Sequence, residues 1–149
     1  YVVEDSAAIT FEFESGALGT FMLSDCAASP SSWEQTSQEN KAYVSYPAQD
    51  CYEVTGTNGS LSVPTMRLHR YATDAARSWW LPFETEQWPL DVVDPIQAQM
   101  QHFEAVIRGD ALPAVTVEDG LRNLEVTEAI VQAASSGQRV TLRGDAPKL

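Results

Sequence analysis

His69 and His102 are the two histidines of the chain, so proton transfer or metal binding at neutral pH would fall to them first. Neither has a carboxylate or a second histidine at a motif spacing, and no zinc-ligand set or nucleophile–base pair can be written from the local sequence. His102 reads as an ordinary helix side chain beside Phe103. His69, between Leu68 and Arg70 in an alternating segment, stays a candidate for ligand contact. Cys26 and Cys51 form no Cys-x-x-Cys pair, which reads as two reduced thiols. Carboxylates are abundant, but Glu12 and Glu14 fit a strand face, and Glu118 and Asp119 sit where a helix amino terminus favours negative charge. No Gly-x-Gly-x-x-Gly and no Walker lysine loop occurs, so nucleotide phosphates have no familiar seat. The expectation is a chain without catalytic residues, binding no cofactor and no metal of its own.

What remains is chemistry suited to binding. The polar segment at residues 25–49 holds Trp33, whose face can cover C–H surfaces, together with Glu34, Asn40 and Tyr43, which can exchange hydrogen bonds with hydroxyls. A connection of that length inside a compact domain is usually functional or disordered. Trp33, Glu34, Asn40, Tyr43 and His69 are therefore the candidate substrate-binding residues, against the alternative that Trp33 and Tyr43 only pack on a sheet. The Trp79-Trp80 pair reads as packing at a sheet edge.

The elements that would carry these residues are legible from periodicity. Residues 5–14 alternate, Ser15-Gly16 reads as a two-residue turn, and residues 17–25 return as a second strand. In that register Phe11 opposes Thr20 and Ile9 opposes Met22 on one face, while Ala8, Thr10, Phe21 and Leu23 share the other. The second face is too apolar for water, so those four residues are the candidate interface of a homo-oligomer packed sheet to sheet. Residues 51–57 and 60–63 read as strands around an Asn58-Gly59 turn, residues 66–71 as another, and residues 79–83 as an aromatic edge strand containing Pro82. Asp94-Pro95 then opens a helix with Ile96, Met100, Phe103 and Ile107 along one stripe, ended by Gly109. Thr116 and Asp119 resemble a capping box opening a second helix, closed by Gly137, and residues 139–142 read as a short strand. Strands first and helices last predict an α+β fold: an open, mainly antiparallel sheet with two C-terminal helices on one face.

Composition bounds the class. A chain of 149 residues with 44% hydrophobic and 20% charged residues should fold rather than stay disordered. At this length roughly 70% of the unfolded surface can be buried, which predicts a core without staples. The net charge of −12 would repel a phosphate backbone, so nucleic acid is excluded as a partner. No apolar run is long enough for a membrane span and no signal-type start is present, which predicts a soluble, cytoplasmic protein. The start without Met, directly in strand-like sequence, reads as a cut inside a longer protein.

Four segments in order resemble one family. Val3-Glu4-Asp5-Ser6-Ala7-Ala8 followed by Glu14-Ser15-Gly16-Ala17-Leu18-Gly19-Thr20-Phe21 is similar to the hairpin of the Gfo/Idh/MocA oxidoreductases. Thr55-Gly56-Thr57-Asn58-Gly59-Ser60-Leu61 resembles that family's Gly-Thr-x-Gly-Ser-Leu turn. Residues 99–109, and Val117-Glu118-Asp119-Gly120-Leu121 through Ser135-Ser136-Gly137-Gln138-Arg139-Val140, resemble its closing pattern. The resemblance covers residues 3–142. It implies that residues 1–142 are a C-terminal substrate and oligomerisation domain, with 143–149 a flexible tail and a Rossmann domain upstream of this chain. It further implies a full-length enzyme that uses NAD or NADP to move a hydride to or from a carbinol carbon of a sugar, cyclitol or related polyol. The family's Glu-Lys-Pro lysine and its Asp and His pair have no counterpart here, so no catalytic residue is transferred. The rival reading is a binding or assembly module that uses its sheet only for protein contacts.

Overall fold

The computed structural model describes residues 5–91 and 93–142. The expected tail at 143–149 and the first residues of the resemblance, Val3 and Glu4, lie outside the described residues. The elements are β1 (Ser6–Glu12), β2 (Leu18–Ser24), α1 (Trp33–Thr36), β3 (Tyr52–Thr55), β4 (Gly59–Val63), β5 (Arg67–Arg70), a 3-10 turn (Asp74–Ala76), β6 (Glu84–Gln87), α2 (Pro95–Arg108) and α3 (Val117–Ser136). The fold class is α+β, as the order of elements predicts. The strands divide between a two-stranded sheet, β1-β2, and a four-stranded meander, β3-β4-β5-β6, and every described pairing is antiparallel. The chain falls into two compact units, Tyr1–Cys26 with Met100–Leu149, and Ala27–Gln99.

In the first unit the β1-β2 register departs from the expected one by a single residue. Ser15 does not take the positive φ that a two-residue turn of that kind requires, whereas Gly16 does, at φ 83°. The loop therefore has three residues, closed by Phe13 N–H to the Ala17 carbonyl (2.9 Å) and Gly16 N–H to the Phe13 carbonyl (2.8 Å). Ile9 consequently pairs with Phe21, Ala7 with Leu23, Thr10 with Thr20 and Ala8 with Met22. A slip of one residue moves a strand's side chains to the other face. The expected interface quartet is thus split: Phe21 and Leu23 lie with Ala7 and Ile9, while Ala8 and Thr10 lie with Met22 and Thr20.

The helices start and stop where their caps dictate. The Asp94 carboxylate accepts from the Ile96 and Gln97 N–H groups at 3.0 and 3.1 Å, opening α2. Thr116 and Asp119 form a reciprocal capping box at the start of α3, and Gly137 ends it in the left-handed region at φ 65°. Backbone and side-chain hydrogen bonds from Thr116 hold the Asp119 carboxyl below its ordinary value. The segment at 139–142 is irregular rather than the expected strand. No strand edge pairs with it among the described residues, and Arg139 is tied to Glu12 of β1 by an ion pair of 3.0 Å.

In the second unit the β3-β4 hairpin closes one residue earlier than an Asn58-Gly59 turn would. Gly56 N–H donates to the Gly59 carbonyl at 2.8 Å, leaving Thr57-Asn58 at the tip. Gly59 is instead needed for close approach, because a Cβ there would run into the His69 carbonyl oxygen of β5. The β4-β5 connection is fixed by Asp50, whose carboxylate accepts from Thr65 N–H (2.9 Å) and from the Arg67 guanidinium (2.8 Å). The last strand is the polar Glu84–Gln87, not the aromatic run before it. Pro82 has no N–H for a ladder, whereas Thr85 lies opposite His69 and bonds its ring at 2.9 Å.

The expected apolar core is not seen among the described residues: no hydrophobic side chain there is buried, and Thr36 and Ser62 are the buried polar ones. The stripe of α2, Ile96, Met100, Phe103 and Ile107, stands exposed along its length. Helical period identifies which side of a helix is apolar but not what covers it.

Candidate functional site

Four of the five expected contact residues lie on one folded loop. Ser32 caps α1 by accepting from Gln35 N–H at 3.3 Å, and this single turn projects Trp33 and Glu34. Thr36, 1% exposed, donates its hydroxyl to the Ser32 carbonyl at 2.7 Å and lies 3.5 Å from the Cys51 sulfur. Tyr46 N–H reaches back to the Gln35 carbonyl at 2.7 Å. The connection is therefore an ordered loop tied to the start of β3 within its own unit.

Its polar groups are partly committed. The Trp33 indole N–H donates to Glu39 at 2.9 Å and the ring packs against Tyr52 with centroids 6.0 Å apart. Asn40 accepts from Ala42 N–H at 3.0 Å through its side chain and from Tyr43 N–H at 3.2 Å through its carbonyl, which builds a turn. Glu34 and Tyr43 are exposed. His69 is not brought into this group: on β5 its Nδ1 bonds Thr85 and its ring faces Phe83, neither of them on the loop.

The other reactive side chains have structural employment. His102 accepts from Ala114 N–H at 3.2 Å, fastening the segment after α2. Cys26 and Cys51 are both free thiols. Hydrogen bonds from Ser24 and then Ser6 lower the Cys26 thiol below its ordinary value, in a cluster where the two serine hydroxyls are 2.7 Å apart. Cys51 packs under the loop through Thr36 and the Val63 carbonyl. Trp79 and Trp80 are 98% and 92% exposed, so the expected edge packing does not occur. No group of three or more His, Cys, Asp or Glu side chains able to hold a metal ion is present among the described residues.

A concavity away from this loop was not anticipated from the sequence. A cleft of about 240 Å³ is lined by Asn58, Arg70, Tyr71, Thr73, Asp74 and Arg77. Arg77 bonds both Asp74 (2.8 Å) and the Asn58 side-chain oxygen, and Arg70 pairs with Glu86 across the β5-β6 ladder. Hydrogen bonding from Arg70, then from Trp88, holds the Glu86 carboxyl below its ordinary value. The Tyr71 ring stacks on Phe83 at 4.6 Å and its hydroxyl donates to the Ser78 carbonyl at 3.3 Å. The available signal was charge: the chain has only nine Lys and Arg residues, and two of them flank this short stretch.

The glycine-rich turn from a parallel strand into a helix that usually seats a dinucleotide does not occur among the described residues, where every strand pair is antiparallel and α2 and α3 open on Asp94 and Thr116. No helix is long and apolar enough to cross a membrane among the described residues.

The family model described as oxidoreductase family, C-terminal alpha/beta domain, matches residues 1–142. Neither the curated proteins nor the solved structures gave a match.

Proposed function

We propose, because this chain belongs to the Gfo/Idh/MocA oxidoreductase family as its C-terminal alpha/beta domain, that its parent protein is an NAD(P)-dependent oxidoreductase of a sugar, cyclitol or related polyol. The family match across residues 1–142 carries this reading. This domain contributes substrate-side contacts and oligomer surface, and the nicotinamide and the reacting groups belong to the rest of the enzyme.

The loop at 27–51 supports a substrate role, since an ordered loop tied to a strand can hold polar groups over a cleft. Within it Glu34 and Tyr43 are the side chains open to a hydroxylated ligand, whereas Trp33 and Asn40 also maintain the loop. In the full-length enzyme, Glu34→Ala and Tyr43→Ala should each lower kcat/KM about tenfold, close to 1.4 kcal/mol, with little change in melting temperature. Values within a factor of two of the parent would make the loop structural only.

The apolar hairpin supports self-association. Phe21 and Leu23 are exposed beside Ala7 and Ile9, and Met22 is 81% exposed on the opposite face with Ala8 and Thr10. Phe21→Glu should convert a homo-oligomer into monomers in light-scattering chromatography. An unchanged mass would place the interface away from this face.

A further inference from the structure

We propose that the cleft between the Asn58 turn and the Asp74–Ala76 turn binds a small hydroxylated carboxylate, a sugar acid, through Arg77 and Arg70. Each arginine meets its protein carboxylate through Nη2 alone, while a guanidinium carries five N–H donors. Planar guanidinium groups suit carboxylate oxygens, which accept paired N–H bonds. Asp74 and Glu86 each neutralise one of the two guanidinium groups, so a bound carboxylate would be held by the N–H donors that these ion pairs leave open rather than by a surplus of positive charge.

The remaining lining matches hydroxyl groups. Asn58 receives Arg77 on its oxygen and has two amide donors, and Thr73 adds a hydroxyl. The Tyr71 ring, held by Phe83, supplies an apolar wall for C–H faces. About 240 Å³ lies below the usual range of about 300–1,000 Å³ for drug-sized ligands, so the cleft suits a single sugar-sized molecule. A net charge of −12 repels anions at long range, so binding depends on these local donors rather than on a general attraction. The assignment does not rest on the proposed oxidoreductase activity, because binding is read on this chain without nicotinamide.

Titration calorimetry of the whole chain at pH 7 and matched ionic strength tests it with sodium gluconate, sorbitol and inorganic phosphate as probes. Gluconate should bind saturably, at least tenfold tighter than sorbitol, its uncharged counterpart, and tighter than phosphate. Arg77→Gln should weaken gluconate at least tenfold, while Arg139→Gln, in the other unit, should change it less than twofold. If Arg77→Gln does not fold, Arg77→Lys keeps the charge but removes the planar fork and should still weaken binding at least threefold. Gluconate no tighter than sorbitol or phosphate, or unaffected by the Arg77 variant that folds, overturns the proposal.

Discussion

Gly59→Val is expected to cost about 3 kcal/mol or more and to unravel the β3-β6 meander, because overpacking that cannot be relieved by side-chain motion falls on the backbone. A Cβ at this position meets the His69 carbonyl oxygen, with the Arg70 Cβ at 3.1 Å and Cα at 3.2 Å behind it. None of these is the end of a flexible chain, so β4 and β5 would have to separate. Their separation would also undo the Leu61–Leu68 pairing and, through β5, the ladder to β6. The neighbouring Gly56 provides the control, since its nearest obstacle is the Gly59 carbonyl oxygen at 3.6 Å, an ordinary contact. Gly56→Ala should therefore shift stability by no more than about 1 kcal/mol. Urea midpoints followed by circular dichroism compare the two. A Gly59→Val midpoint equal to that of Gly56→Ala would mean the strands do not approach this closely.

The same glycine shows where sequence reading reached and where it stopped. Asn58-Gly59 correctly marks a hairpin, but dipeptide statistics credit the glycine with a turn conformation, while the fold uses it for space beside a strand that follows later in the chain. At Ser15-Gly16 the turn was visible and its length was not. Only Gly16 adopts positive φ, and the added loop residue redistributed Ala8, Thr10, Phe21 and Leu23 over both faces. The helix caps at Asp94, Thr116 with Asp119, and Gly137 were legible because each depends on residues within one turn.

Long-range features were less legible for a physical reason. Strand β6 forms where Thr85 and Glu86 find His69 and Arg70, whereas the aromatic run before it has the stronger intrinsic strand preference. The cleft joins Asn58 to Arg77 across two connections, which no local pattern records. Of the five candidate contact residues, the loop brings Trp33, Glu34, Asn40 and Tyr43 into one segment, and the Thr85 and Phe83 contacts take His69 elsewhere. The apolar stripe of α2 is legible from its period, but the period carries no record of what, if anything, covers it, and its residues stand exposed.

This chain by itself should bind no nicotinamide nucleotide specifically and oxidise no polyol, an effect larger than that of any single substitution. A dinucleotide is usually held by backbone N–H groups at a helix amino terminus entered from a parallel strand, with glycines allowing close approach. The described strands pair only antiparallel, and the chain's net charge of −12 opposes a pyrophosphate. Under the proposed function this domain supplies contacts and surface, while nicotinamide binding resides in the rest of the parent protein. Titration calorimetry with NAD+, NADH, NADP+ and NADPH, performed on this chain and on the full-length protein, tests it most directly. Micromolar binding of at least one nucleotide by the full-length protein and none by this chain is the predicted result, whereas micromolar binding by this chain alone would contradict the account.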